Sequence, residues 1–160
     1  MMEKTDNYLQ ILSESLDKKI VILEELERLT DEQKKIAEAE EFDDTAFEEN
    51  VNQKAGLIEE IEKLDEGFEI LYGNVKNQID GKKDIYKTQI SMLQEKIKKV
   101  MDESVAIQAA ESSNKVLIEK RFTAMKKEVY RVKKNRQMAA SYYKTMNNIT
   151  TDPFFMDKKQ

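Results

Sequence analysis

The chain has 160 residues, of which 37% are charged, with one proline, four glycines and a net charge of −5. It contains neither histidine nor cysteine, which excludes disulfides, thiolate nucleophiles and imidazole catalysis and removes the usual zinc ligands. The four glycines also lack the spacing of a phosphate-binding loop. We therefore predict no enzyme, no cofactor and no metal site.

The composition is that of long helices, because Leu, Glu, Lys, Ile, Gln, Met and Ala dominate and turn-forming residues are scarce. The longest aliphatic run, from Ile20 to Leu23, falls far short of the roughly 20 residues of a membrane span. No apolar signal segment follows the first residues. We expect a soluble, cytoplasmic, all-α protein of one domain, without membrane insertion.

The first predicted helix covers about 5–38, with Thr5 or Asp6 as N-cap. Its apolar residues recur at intervals of three and four, which is typical of coiled-coil-like packing. The stripe comprises Leu9, Leu12, Leu16, Ile20, Leu23, Leu26 and Leu29.

A second helix is predicted over about 45–80. Two devices could start it: Asp43 as N-cap with a hydrophobic staple between Phe42 and Phe47, or a capping box between Thr45 and Glu48. Its wide stripe indicates contact with two neighbours. The helix could stop at Gly73 or at Gly81, and we favour Gly81 because the stripe stays in register up to it. The stripe comprises Phe47, Val51, Leu57, Ile58, Ile61, Leu64, Phe68, Leu71, Tyr72, Val75 and Ile79.

The third stripe begins near residue 83 and meets polar residues at Ser104, Glu111 and Asn114. The prediction is an elongated antiparallel three-helix bundle over 1–114, whose third helix (83–114) continues as a basic amphipathic arm over 115–147. Such a helix would be nearly twice as long as the other two, so the arm would extend past the bundle. Alternatively, a break between Glu111 and Asn114 would let the arm fold back as a fourth helix.

The arm contrasts in charge with the rest of the chain. From Lys115 to Lys144 there are 10 basic and 2 acidic residues, a net charge of +8, whereas residues 1–114 carry 15 basic and 28 acidic residues, a net charge of −13. Its stripe is the candidate site for binding a partner helix. The stripe positions are Ile118, Phe122, Met125, Val129, Val132, Arg136, Ala139, Tyr143 and Met146.

The residue pattern in two parts of the chain resembles that of the FlgN family of flagellar export chaperones, and the length of the chain is also similar to that of the family. One set lies in the second helix and the other follows residue 92. Together with the general pattern, the resemblance covers about 9–143. The residues are Phe47, Val51, Lys54, Leu57, Ile58, Ile61, Leu64, Asp65, Gly67, Phe68 and Tyr72, then Leu93, Ile97, Val105, Asn114 and Leu117.

This resemblance implies a cytoplasmic chaperone, monomeric or weakly homodimeric, that binds terminal helices of hook–filament junction proteins and delivers them to the type III export gate or its ATPase components. The related chaperone of the filament-cap protein has a similar layout, so a cap-protein client is equally expected. Family members are thought to contact the gate through a tyrosine near the C-terminus, which here is Tyr142 or Tyr143. Phe154 and Phe155, in a tail over 148–160, are further docking candidates.

Three other interpretations fit the same stripe. It could be core, packed in the bundle or in a homodimer seam, as in a structural coiled-coil protein. It could bind nucleic acid through its lysines and arginines, although the acidic remainder of the chain would repel a polyanion. It could lie on an anionic membrane surface, although its face lacks large apolar bulk.

Overall fold

The computed structural model describes residues 4–125 and 129–148, and the side chains of 4–125 and 133–146. The fold is all-α, as predicted. In these ranges it comprises four helices, α1 (Lys4–Glu38), α2 (Asp44–Ile79), α3 (Lys87–Ala124) and α4 (Val129–Asn148). No helix in the described part of the chain is both long and apolar enough to cross a membrane.

Helix α1 lies at the centre of the bundle because it packs against both α2 and α3, whereas the α2 and α3 backbones do not approach each other closely. Its stripe from Leu9 to Leu29 is buried. Two contacts for each pair fix the directions. Lys19 donates to Asp65 and Asn50 donates to the Leu29 carbonyl, so α1 and α2 are antiparallel. Lys96 donates to Ser13 and Asn114 donates to the Thr30 carbonyl, so α1 and α3 are parallel.

The start of α2 shows which of the two predicted devices operates. The Asp43 side chain accepts a hydrogen bond from the Ala46 amide at 3.0 Å, so Asp43 is the N-cap. The rings of Phe42 and Phe47 meet edge to face at a centroid distance of 5.3 Å, which forms the staple. The helix continues through Gly73, and the following turn contains Gly81 with φ of +77°, a conformation that glycine adopts without strain.

The predicted three-helix bundle with a continuous arm is wrong, since the described residues form four helices and α3 ends at Ala124. The Met125 amide donates to the carbonyls of Arg121 and Phe122, which closes the last turn of α3. The alternative break between Glu111 and Asn114 is also absent, because α3 runs through both residues. They stay in the helix because their buried side chains find hydrogen-bond partners on α1 and α2.

Helix α4 turns back and packs against α2 and α3. It runs antiparallel to α3, since Arg136 donates to Thr123 near its start while Lys115 lies against Tyr143 near its end. Buried side chains of α4 join the main core. They are Ala139, Tyr142, Tyr143 and Met146.

Candidate functional site: the α4 cleft

The candidate site is the cleft that α2 and α3 form on the side facing α4. Because the backbones of α2 and α3 stay apart, a fourth helix can lie between them, and α4 occupies this position. Near its N-terminal end, Asn135 is buried and donates to the carboxylate of Asp44 at 2.9 Å. Arg136 adds a 3.1 Å bond to the Thr123 hydroxyl. An amphipathic helix is therefore held in the cleft by both apolar and polar contacts.

An ion pair lies on the floor of this cleft. The Lys54 ammonium on α2 donates to Oε1 of Glu111 on α3, and the two residues are 0% and 3% exposed. Thr30 of α1 donates to the same carboxylate oxygen at 2.8 Å. The other oxygen, Oε2, has no hydrogen-bond donor among the described residues. Burial lowers the pKa of Lys54 from its ordinary value, and the charge of Glu111 opposes that shift.

The side-chain oxygen of Gln33 joins all four helices. It accepts from Lys54 at 3.4 Å, from Asn114 at 3.3 Å and from the Tyr143 hydroxyl at 3.4 Å. Asn114 also donates to the main-chain carbonyl of Thr30 at 2.8 Å. Polar groups on four separate helices thus share one buried network, which costs desolvation but specifies how the helices align.

Two adjacent tyrosines are the contribution of α4 to this network. The Tyr142 ring lies with its centroid 4.4 Å from the Lys54 ammonium, and the Tyr143 centroid lies 5.8 Å from that of Lys115, so each ring has a cation–π partner. Burial raises the pKa of both hydroxyls above their ordinary value, and the negative charge of Glu111 adds to the rise. Both tyrosines are therefore held neutral and inaccessible.

An aromatic cluster closes the end of the cleft where α3 stops. Phe122 stacks on Phe42 at 5.7 Å and meets Phe47 edge to face at 5.8 Å. The Arg136 guanidinium lies 5.9 Å from the Phe122 ring centroid. Arg121 donates to the carbonyls of Ala39 and Glu40, just after α1. These contacts tie the α1–α2 turn to the end of α3.

The residues predicted to bind a partner helix occupy different environments. Ile118, Phe122, Ala139 and Tyr143 are buried, and Met125 and Arg136 are half-buried. Each buried member therefore faces the inside of the protein instead of presenting a free surface. The side chains of Val129 and Val132 lie outside the described residues, although both positions are in the α4 backbone.

The candidates for docking to an export gate are similarly divided. Tyr142 and Tyr143 are 3% and 8% exposed, so neither is presented in this conformation. Phe154 and Phe155 lie outside the described residues.

Sequence reasoning missed Lys54 and Gln33 as parts of the site. A usable signal was present, because Lys54 stands at helical spacing between Val51 and Ile58 on the apolar stripe of α2. Glu111 interrupts the stripe of α3 in the same way. Opposite charges on two facing stripes indicate a buried pair.

The described side chains include no group of three or more Asp and Glu residues placed to hold a metal ion. No protein-family model, no curated protein and no solved structure matches this chain.

Proposed function

We propose that this protein is a cytoplasmic helix-binding chaperone of the flagellar export type. Its clients would be amphipathic terminal helices of hook–filament junction or cap proteins, which it keeps unassembled until it meets the export gate. The observation that carries the proposal is the position of α4: an amphipathic helix fills a cleft between α2 and α3, whose backbones do not approach each other closely. A client helix with a similar apolar face would bind there in exchange for α4.

Replacement of α4 by a client helix is physically reasonable because, among the described side chains, α4 buries fewer apolar residues than any other helix. Helix α1 buries seven leucine and isoleucine side chains between Leu9 and Leu29. The described part of α4 fully buries Ala139, Tyr142, Tyr143 and Met146, and its buried Asn135 must be kept hydrogen-bonded. Elements with little apolar burial open at lower free energy than the core. Release of α4 would also expose Tyr142 and Tyr143 to a partner such as the gate.

The test is a calorimetric titration of the full chain with synthetic terminal helices from junction and cap proteins. Binding to a subset of these helices supports the proposal, and no binding to any of them contradicts it. Because the chain has no cysteine, a short thiol cross-linker can join an Asp44→Cys, Asn135→Cys double variant and hold α4 in place. The cross-linked protein should bind at least tenfold more weakly than the same variant before cross-linking.

A structural role is the second candidate, and the burial of Ile118, Phe122, Ala139 and Tyr143 favours it. In that case the stripe is simply core, and α4 completes the bundle. Light scattering can measure whether complexes form with the same set of terminal helices. A purely structural protein would bind none of these helices at any concentration below that at which the peptides themselves aggregate.

A further inference from the structure

The buried ammonium of Lys54 has a defined set of neighbours. An ammonium carries three N–H donors. One bonds to Glu111 Oε1 on α3, a second to Gln33 Oε1 on α1 at 3.4 Å, and the remaining side of the charge faces the Tyr142 ring of α4 at 4.4 Å. Helix α4 thus supplies the only π-face that the described structure places against this cation.

We propose that the Lys54–Glu111 pair makes the cleft selective for amphipathic helices that carry an aromatic side chain at the position held by Tyr142. This inference rests on the proposed function, since it names the class of helix that the α4 cleft accepts. An aliphatic side chain at that position would cover a buried cation with a group that cannot interact with it favourably. The desolvation of Lys54 would then be less well compensated.

The neighbouring position tolerates a hydroxyl group. Tyr143 donates to Gln33, which also accepts from Lys54 and Asn114. A buried hydroxyl at this position therefore has an acceptor, and a phenylalanine there would leave no polar group of the network without a partner. The preferred partner is an amphipathic helix with adjacent aromatic residues on its apolar face, the second of which can bear a hydroxyl.

The surface of α4 indicates the polar face that such a helix should have. The exposed residues Lys133, Lys134 and Lys144 are basic, and the first turns of α2 beside α4 carry Asp44, Glu48 and Glu49. Charge complementarity with the α2 side of the cleft favours a basic partner helix over an acidic one.

The experiment uses the full chain with an Ala139→Arg substitution. Ala139 is 4% exposed in the cleft, so an arginine there prevents α4 from docking and leaves the cleft open. The probe is a labelled peptide with the α4 sequence, residues 129–148, whose binding is followed by fluorescence anisotropy. Peptides carrying Tyr142→Phe, Tyr142→Leu or, as a control at an exposed position, Gln137→Ala are compared with it.

The inference predicts that the Tyr142→Phe and Gln137→Ala peptides bind within about threefold of the native peptide, whereas Tyr142→Leu binds about tenfold more weakly, a loss of roughly 1.4 kcal/mol. A Lys54→Met, Glu111→Leu background with an apolar floor should abolish or reverse that preference. Equal binding of the phenylalanine and leucine peptides overturns the inference and leaves the proposed function standing. Failure of every peptide to bind overturns both.

A second measurement covers the case in which Ala139→Arg unfolds the chain. Hydrogen exchange of residues 133–146 is measured with α4 in place, for Tyr142→Leu in the native background and in the Lys54→Met, Glu111→Leu background. Tyr142→Leu should speed hydrogen exchange about tenfold in the native background and less than about threefold in the Lys54→Met, Glu111→Leu background. The same acceleration in both backgrounds contradicts the selective role of the pair.

Discussion

Asn135 of α4 donates to the carboxylate of Asp44, the first residue of α2, at 2.9 Å. Asn135 is 4% exposed, so this contact is a buried polar anchor at the end of the cleft where α3 stops. It links the one helix that we propose is exchangeable to a part of the bundle that Asp43 and the Phe42–Phe47 staple already fix.

Replacement of this anchor should loosen α4 without unfolding the bundle. Asn135→Ala removes a net hydrogen-bond contribution of about 1 kcal/mol, so hydrogen exchange of residues 133–146 should become about fivefold faster. Residues 9–29 of α1 should exchange at an unchanged rate. The control is Gln137→Ala at an exposed position of the same helix, and equal effects of the two substitutions would contradict the anchoring role.

The buried ion pair should be much more sensitive to the loss of one partner than to the loss of both. Lys54→Met leaves Glu111 buried without its counter-ion, so the free energy of unfolding measured in urea should fall by about 3–5 kcal/mol. The double variant Lys54→Met, Glu111→Leu should recover most of that loss. Lys63→Met, at an exposed position of α2, is the control. A double variant no more stable than Lys54→Met would contradict this explanation, because the loss would then not come from an unpaired buried carboxylate.

The aromatic cluster should stabilise the whole bundle. Phe122 is 2% exposed and contacts both Phe42 and Phe47. Phe122→Ala leaves a cavity and should lower the free energy of unfolding by about 3–5 kcal/mol in chemical denaturation. Val116→Ala, at a 54% exposed position of the same helix, should change it by less than about 0.5 kcal/mol. A small effect of Phe122→Ala would mean that the cluster is not part of the core.

The tyrosine pair predicts a loss of stability at alkaline pH. Burial raises the pKa of Tyr142 and Tyr143 in the folded state, while unfolded tyrosine keeps an ordinary pKa of about 10. Above that pH the unfolded chain binds fewer protons than the folded one, so the free energy of unfolding falls as pH rises. The lowered pKa of Lys54 acts in the opposite direction, because the unfolded lysine holds its proton longer than the folded one.

Ultraviolet absorbance of tyrosinate can follow this transition directly. In the native protein, two of the six tyrosines should ionise only when α4 leaves the cleft. Tyr142→Phe with Tyr143→Phe should reduce the alkaline loss of stability, and part of it should remain because burial also raises the pKa of Tyr72. The variant also loses the Tyr143–Gln33 bond at every pH. Ionisation of all six tyrosines near pH 10 without a structural change would contradict the burial of the pair.

The all-α class and the first two helices follow from the sequence because strong, regular signals mark them. Helices α1 and α2 lie within one residue of the expected ranges 5–38 and 45–80. Their limits depend on local chemistry: the Asp43 cap, the Phe42–Phe47 staple and the positive φ of Gly81.

The break between α3 and α4 could not be predicted in the same way. The apolar stripe continues in register from Ile118 through Phe122 to Met125 and beyond, and no glycine or proline interrupts it. Periodicity describes which face is apolar but not where that face finds a partner. Here burial of Ala139 and Tyr143 between α2 and α3 favours the folded-back helix over an exposed arm.

The site was harder to predict for a related reason. In the sequence, Glu111 and Asn114 indicate that the apolar core ends at these positions. Both are nevertheless buried, because residues of other helices supply their hydrogen-bond partners. These residues are Thr30, Gln33 and Lys54. Such partners are separated by 57 to 84 residues along the chain. Only the packing of the helices brings them together.

The most direct test of the proposed function is amide hydrogen exchange of the full chain, alone and saturated with a terminal helix of a junction or cap protein. Free protein should protect residues 133–146 of α4. With a client bound, those residues should lose protection, while residues 47–58 of α2 and 107–122 of α3 keep theirs. If α4 stays fully protected while a client is bound, the client has not replaced α4 in the cleft. That result would contradict the proposed function and favour a structural role for α4.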